Sequence, residues 1–458
     1  MGKLFTVSLL FFIVNFSLAQ NSKTQRLDSL FAALQSENAF NGNVLIAEKG
    51  VIIFEKSYGF ANEENKIKLN LQTKFELASV SKQFTAMGIV LLEKKGDLEY
   101  TDNISKYIPE LASYGEITIK NLLNHTGGLP DYIEIFDQKW DKTKFATNED
   151  IATQFAKYKP TPDFKPNEKY EYSNTGYAIL GLIIERVSKK SFGEFLKNYI
   201  FKPLKMENTF VYRSRFQPEK IKNHATGYVI DSLGNKVTTD SFGKDYYTYY
   251  LDGIVGDGMV NSTLEDLLKW DRALQNNILV NDDDKNLIFC NSQTLDGKDN
   301  NYGFGWILAD SKKYGKIAYH SGGWAGYSTF IEREISNDKT IILLQNNSIP
   351  STVIPAAEVR KILYNEAIIS KKKIELKSED LDKFLGIYST PDFPLKITLT
   401  KKDFILFAKA TGQEEFPLDA YENNTFKFIP ANITIEFIPT TKSFIFTQEN
   451  SKIKFTKE

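Results

Sequence analysis

Phe75-Glu76-Leu77-Ala78-Ser79-Val80-Ser81-Lys82 is the stretch on which the fold turns. Phe75 to Leu77 reads as a short strand. Ser79 to about Lys95 carries a helical pattern that Gly96 closes as C-cap. A strand running directly into a helix puts Ser79 in the first turn, and the i, i+3 spacing sets Lys82 on the same face one turn later. The hydroxyl then meets the positive end of the helix dipole and free backbone N–H groups. That suits a nucleophile, because an alkoxide and a later oxyanion both need positive charge nearby. The motif alone carries little weight: the same spacing recurs at Ser241/Lys244, Ser336/Lys339, Ser370/Lys373 and Ser451/Lys454. Taken by itself, Ser79 also reads as a plain helix cap beside a solvated lysine.

Upstream, Leu27, Leu30, Phe31 and Leu34 mark an amphipathic helix over Thr24–Asn38. The apolar runs Asn43–Glu48 and Val51–Lys56, parted by Lys49-Gly50, predict a β-hairpin. Downstream, helices are predicted at Thr118–Asn124, Thr175–Val187 and Glu194–Tyr199, and Ser262-Thr263-Leu264-Glu265 reads as a capping box opening another through Leu274. Strand patterns return at Tyr327–Glu334 and Thr340–Gln345, followed by a helix near Ile354–Tyr364. Strands at both ends with helices between predict one α/β domain over residues 20–368, whose sheet joins the two ends of the sequence. The charged segment 369–383 reads as a linker. Short strands about ten residues apart then predict a small barrel or sandwich over 384–458.

Composition excludes several function classes. Apolar residues make up 42% and charged residues 25% of the 458, with 57 basic against 58 acidic side chains. No basic stripe calls for nucleic acid or an anionic surface. Lys3, the apolar run Leu4–Val14 and Ser17-Leu18-Ala19 form a cleavable secretory signal over 1–19, too short to span a bilayer. We therefore expect a secreted or periplasmic protein with no stable membrane span. Cys290 is the single cysteine, so no internal disulfide forms, and Leu287-Ile288-Phe289 beside it predict a packed apolar thiol. His125, His224 and His320 lie far apart, without metal-site spacing, so neither a metal nor a cofactor is expected.

Two further motifs give Ser79 company. Tyr172-Ser173-Asn174 precedes Thr175-Gly176 and an apolar helix. Free tyrosine, with a pKa of about 10, is a poor base at neutral pH, but a lysine ammonium beside Tyr172 favours its phenolate. Asn174 offers a carbonyl to Lys82 and an amide to a substrate. His320-Ser321-Gly322-Gly323 stands just before the Tyr327 strand, where small residues let a substrate backbone approach and the Gly323 N–H can pair with that of Ser79 as an oxyanion hole. Each also reads as a plain loop: Ser-Asn-Thr-Gly as turn chemistry, and the second as a glycine turn with a surface histidine.

In this order the three motifs resemble the serine β-lactamase-related family of class C β-lactamases, DD-peptidases and penicillin-binding proteins. Phe75–Lys82, Leu122–Pro130, Tyr172–Gly181 and Gly256–Thr263 carry the resemblance, which spans roughly residues 25–365. It implies a transpeptidase-like fold, an antiparallel sheet against a helical subdomain. It also implies Ser79 as acylated nucleophile, Lys82 and Tyr172 as the proton relay, and Asn174, His320, Ser321 and Gly322 around a small-molecule or peptide substrate. The C-terminal strands resemble a lipocalin-like domain appended to such peptidases. Class C β-lactamases carry lysine where this chain has His320, which is largely neutral at pH 7, so β-lactamase activity is expected to be weak. His125 is expected to be structural. A non-catalytic penicillin-binding or peptidoglycan-sensing protein and a true β-lactamase stand as alternatives. Natural substrate and oligomeric state stay open.

Overall fold

A computed structural model describes residues 23–368, 373–391, 393–412, 415–428, 433–448 and 451–458. The predicted signal segment lies outside the described residues. The chain divides into two compact units, residues 1–359 and 360–458.

In the first unit the predicted N-terminal helix, α1, runs over 23–36. The hairpin strands are β1 (Gly42–Glu48) and β2 (Val51–Tyr58). Lys49 and Gly50 between them both take positive φ, 51° and 75°, as a two-residue turn of this hand requires. Four later strands complete the sheet: β3 (Ile307–Ser311), β4 (Gly315–Trp324), β5 (Tyr327–Glu334) and β6 (Lys339–Gln345). The order β3-β4-β5-β6-β1-β2 is antiparallel throughout, with Gly42 opposite Gln345. The sheet thus joins strands from opposite ends of the domain sequence, as predicted. The intervening chain is mainly helical, including α2 (Lys82–Lys94), α3 (Asn174–Ser188) and α4 (Leu264–Gln275). A continuous apolar core runs from Leu45 and Leu344 in the sheet to Phe84, Ile179 and Trp270 on the helices.

Three local expectations need correction. Thr263, not Ser262, caps α4: its Oγ1 accepts from Asp266 N at 3.4 Å, because Ser262 is still in a strand opposite Phe75. Cys290 is exposed rather than packed, since the short helix Asp282–Ile288 buries Ile288 and the chain then leaves the core. The expected linker is partly barrel. Residues 369–372 lie outside the described residues, but Ser378–Phe384 forms helical turns whose Leu381 and Phe384 plug the second core.

The second unit is a closed barrel of eight antiparallel strands from Gly386–Thr390 to Ser451–Lys457. Tyr388 opposite Lys457 closes it. Inward residues alternate along the strands: Leu399, Leu406, Ile435, Phe444 and Phe455 are each at most 1% exposed. Among the described residues no helix is long and apolar enough to cross a membrane.

Candidate active site

Ser79 sits where a strand stops abruptly. Phe75–Glu76 pairs with Val260–Ser262, and the Leu77 N–H reaches Val260 O at 2.8 Å. Ala78 then takes φ +49°, a left-handed conformation that is costly for a side-chain-bearing residue and one that over-determined surroundings can hold. The surroundings are rigid. Leu77 O accepts from Val80 N at 3.2 Å and from the buried Thr329 hydroxyl of β5 at 2.6 Å, while Ser81 Oγ accepts from Val260 N at 3.1 Å. Ser79 therefore lies in a 3-10 turn, Ala78–Ser81, and α2 proper begins only at Lys82. The expected neighbourhood of Ser79 and Lys82 survives this change.

Lys82 is fully buried, and its ammonium has three acceptors: Ser79 Oγ at 3.1 Å, Asn174 Oδ1 at 2.9 Å and the Asp257 carbonyl at 2.9 Å. An ammonium has three N–H donors, so this set uses them all. Asn174 is delivered by α3, whose N-cap Ser173 accepts from Gly176 N at 3.1 Å. Tyr172, just before that cap, is 39% exposed and lies with its ring centroid 4.9 Å from Lys82 Nζ. It meets the lysine through its ring face. The expected closeness of Tyr172 to Lys82 is thus met by the ring, while the three Lys82 N–H groups go to Ser79, Asn174 and Asp257 rather than to the Tyr172 hydroxyl.

His320 also differs from expectation. It lies within β4, where alternation turns His320 and Gly322 to the buried face and Ser321 and Gly323 outward. The imidazole is 2% exposed: Nδ1 faces Ser321 O at 2.6 Å and Nε2 faces the Tyr302 hydroxyl at 2.9 Å. Both ring nitrogens are committed to the protein, so the side chain braces the wall from behind instead of presenting itself to substrate. Burial, reinforced by the Lys82 charge, holds its pKa down at about 3. Gly322 has a sharper role. A Cβ there would stand 2.2 Å from Leu77 O, 2.4 Å from Thr329 Oγ1 and 3.1 Å from Ser79 N. Only glycine lets this strand lie against the turn carrying Ser79.

His125 takes the structural place expected of it. In a left-handed conformation (φ 57°), it accepts from Ser173 N through Nδ1 at 3.1 Å, and its carbonyl accepts from Glu171 N at 3.0 Å. Its ring packs 4.4 Å from both Tyr172 and Tyr302. Burial first, then the Lys82 and His320 charges, keep its pKa well below the usual histidine value.

Sequence reasoning missed four participants. Asp257, Tyr132 and Glu76 line the same cleft as Ser79, Asn174 and Gly323. The Tyr132 hydroxyl donates to Asp257 Oδ2 at 3.0 Å, and burial raises the Asp257 pKa although Lys82 opposes it. Tyr302 is fully buried behind His320. Asp257 and Glu76 stood inside quoted motifs, whereas Tyr302 had no signal.

This constellation can be compared with known proteins. The family model described as Beta-lactamase matches residues 27–363. Penicillin-binding protein 4* of Bacillus subtilis (strain 168) is 37% identical over 447 residues, covering 94% of this chain and 98% of that protein. An octameric penicillin-binding protein homologue from Pyrococcus abyssi shares the fold with a TM-score of 0.66 at 22% identity, covering 94% of this chain and 99% of that one. A D-amino acid amidase from Ochrobactrum anthropi SV3 does so with a TM-score of 0.60 at 23% identity, covering 76% and 99%. The match of sequence and fold, over a serine–lysine pair held by a strand-to-helix turn, makes this chain a member of the beta-lactamase family of serine hydrolases.

Proposed function

We propose that the protein is an exported acyl hydrolase that opens amide or ester bonds through a covalent ester on Ser79. The observation that carries this reading is the Lys82 ammonium 3.1 Å from the Ser79 oxygen in a fixed turn. Ser79 Oγ bonds to the substrate carbonyl carbon, and its proton passes through the Lys82–Tyr172 pair to the departing amine or alcohol. Water then attacks the acyl ester, its proton returns along the same route to Ser79 Oγ, and the carboxylic acid leaves. Asn174 holds Lys82 and the substrate amide, Ser321 on the outward face of β4 borders the acyl chain, Gly322 lets that strand lie against the nucleophile turn from behind, and the Ser79 and Gly323 N–H groups receive the oxyanion. Tyr172 joins the relay when bound substrate displaces one acceptor from Lys82.

Penicillin-binding and D-amino acid amidase relatives support peptide-like substrates, including ones with D-residues. The neutral, buried His320 supports weak β-lactam turnover, because it puts no fixed cation where a β-lactam carboxylate binds. The residues 1–19 pattern supports export to the periplasm or beyond.

The test is intact-mass trapping with a fluorophosphonate and with penicillin, with peptide mapping of the adduct. Wild type is labelled on Ser79 and Ser79→Ala is not. Labelling that persists at another residue refutes the assignment, and labelling without turnover of any ester or amide favours the non-catalytic penicillin-binding alternative.

A further inference from the structure

We infer that a second cleft, bordered by Asn124 and Lys120, is a binding site for a saccharide that carries one carboxylate. It shares no lining residue with the Ser79 cleft, so the inference does not depend on the acyl chemistry.

The cleft has a volume of about 350 Å³, within the range of small-molecule sites. One wall is the short helix Ile119–Leu123 with its flanking residues Thr118 and Asn124. The other runs from Leu287, near the end of the helix Asp282–Ile288, to Gln293. Asn121 fixes the first wall: its amide donates to Thr126 Oγ1 at 3.0 Å and to Asn167 Oδ1 at 2.7 Å, and its own Oδ1 accepts from Thr118 N at 3.0 Å. Asn300 ties the second, donating to Ser292 Oγ at 2.9 Å. Walls held in this way lose little freedom when a ligand binds.

The chemistry of the lining names the ligand. Asn121, Asn124, Asn167, Asn291 and Gln293 bring amides, each a donor and an acceptor side by side, the pattern that adjacent sugar hydroxyls match. Asn124 carries the strongest demand. It is 4% exposed, and its buried Oδ1 has no hydrogen-bond partner among the described residues. A buried acceptor left unpaired is expensive, and a ligand hydroxyl removes that cost. Leu287 and Phe304 give a small apolar surface, enough for the C–H face of a sugar ring. Among the described residues no side chain lining the cleft is acidic, and Lys120 is its one cation, without an ion pair there. Asp296 outside it is paired with Lys298, and Asp299 accepts from Gln293 Nε2 at 2.9 Å. The lining thus presents a single positive charge, which one carboxylate on the sugar balances.

Cys290 lines this cleft, is exposed and is the chain's single cysteine, so its reaction with a chromogenic disulfide reagent reports occupancy. The full chain is titrated with glucuronate, glucose and acetate, calorimetry gives the affinities, and melting curves report whether each variant folds. Glucuronate is expected to slow Cys290 labelling saturably in the millimolar range, glucose to bind about tenfold more weakly, and acetate to give no protection. Lys120→Gln, a change on an exposed side chain, should bring glucuronate down to the level of glucose, and Asn124→Leu should weaken both sugars about tenfold. Absence of protection by either sugar, glucuronate no better than glucose, or acetate protecting as well as glucuronate overturns the site. Undiminished glucuronate binding by Lys120→Gln overturns it too, even where Asn124→Leu fails to fold.

Discussion

Replacing Gly322 with alanine tests the placement of the nucleophile most directly. The added methyl would stand 2.2 Å from Leu77 O and 2.4 Å from Thr329 Oγ1, and ordinary contact needs about an ångström more. Neither obstacle is the free end of a long side chain. Leu77 O is backbone, fixed by Val80 N and the Thr329 hydroxyl. The strand and the Ala78–Ser81 turn must therefore separate by about 1 Å, and a displacement of that size at reacting atoms costs on the order of 100-fold in rate, about 2.7 kcal/mol of transition-state stabilisation. Overpacking adds about 1–3 kcal/mol of lost stability. The assay is kcat/KM on a p-nitrophenyl ester, with thermal melting alongside. Adding Thr329→Ala should not restore the rate, because the collision with Leu77 O remains. A Gly322→Ala protein within threefold of wild type in kcat/KM and unchanged in melting refutes the close packing of β4 on the nucleophile turn.

Two other outcomes follow from the same geometry. The His320 imidazole stays neutral down to a pH of about 3, read as its nitrogen chemical shifts; a midpoint near 6.5 would contradict its burial. Because the folded value lies below the unfolded one, neutral His320 stabilises the fold fully above pH 6.5. That contribution is lost at about 1.4 kcal/mol per unit as pH falls from there toward 3. Glu76, raised to about 8, acts in the opposite sense and favours the fold as pH falls from 8 toward 4.5, so a site-specific probe is needed. In the second unit, Phe444 is fully buried against Tyr388, Phe437 and Phe455, and Phe444→Ala should destabilise the barrel by about 3–5 kcal/mol in denaturant titration, where a loss under 1 kcal/mol would contradict the packing.

What was legible in the sequence was local. The Ser79–Lys82 spacing, the apolar helix that follows Asn174 and the Lys49-Gly50 turn are each set by neighbours within four residues. Alternation also exposed most of the barrel. Strand β4 was hidden because its His320–Gly323 portion is small and polar and reads as a turn; without that strand, the side to which His320 points could not be assigned. Asp257 was obscure for another reason, since its contribution to Lys82 is a backbone carbonyl, which any residue supplies. The strand Phe416–Tyr421 contains Pro417, a residue that argues against strand in sequence. The helical turns at Ser378–Phe384 lay under a charged surface pattern that concealed two inward apolar residues, Leu381 and Phe384.

The pairing of β1 with β6 has a kinetic consequence. Asn41 and Asn346, at the edge of that pairing, are hydrogen-bonded at 2.6 Å although 305 residues separate them. A ribosome must release nearly the whole first unit before its central ladder can zip, so the nascent chain stays without its finished sheet for most of synthesis. Such a polypeptide remains threadable until late, and chaperones have a long interval in which to hold it.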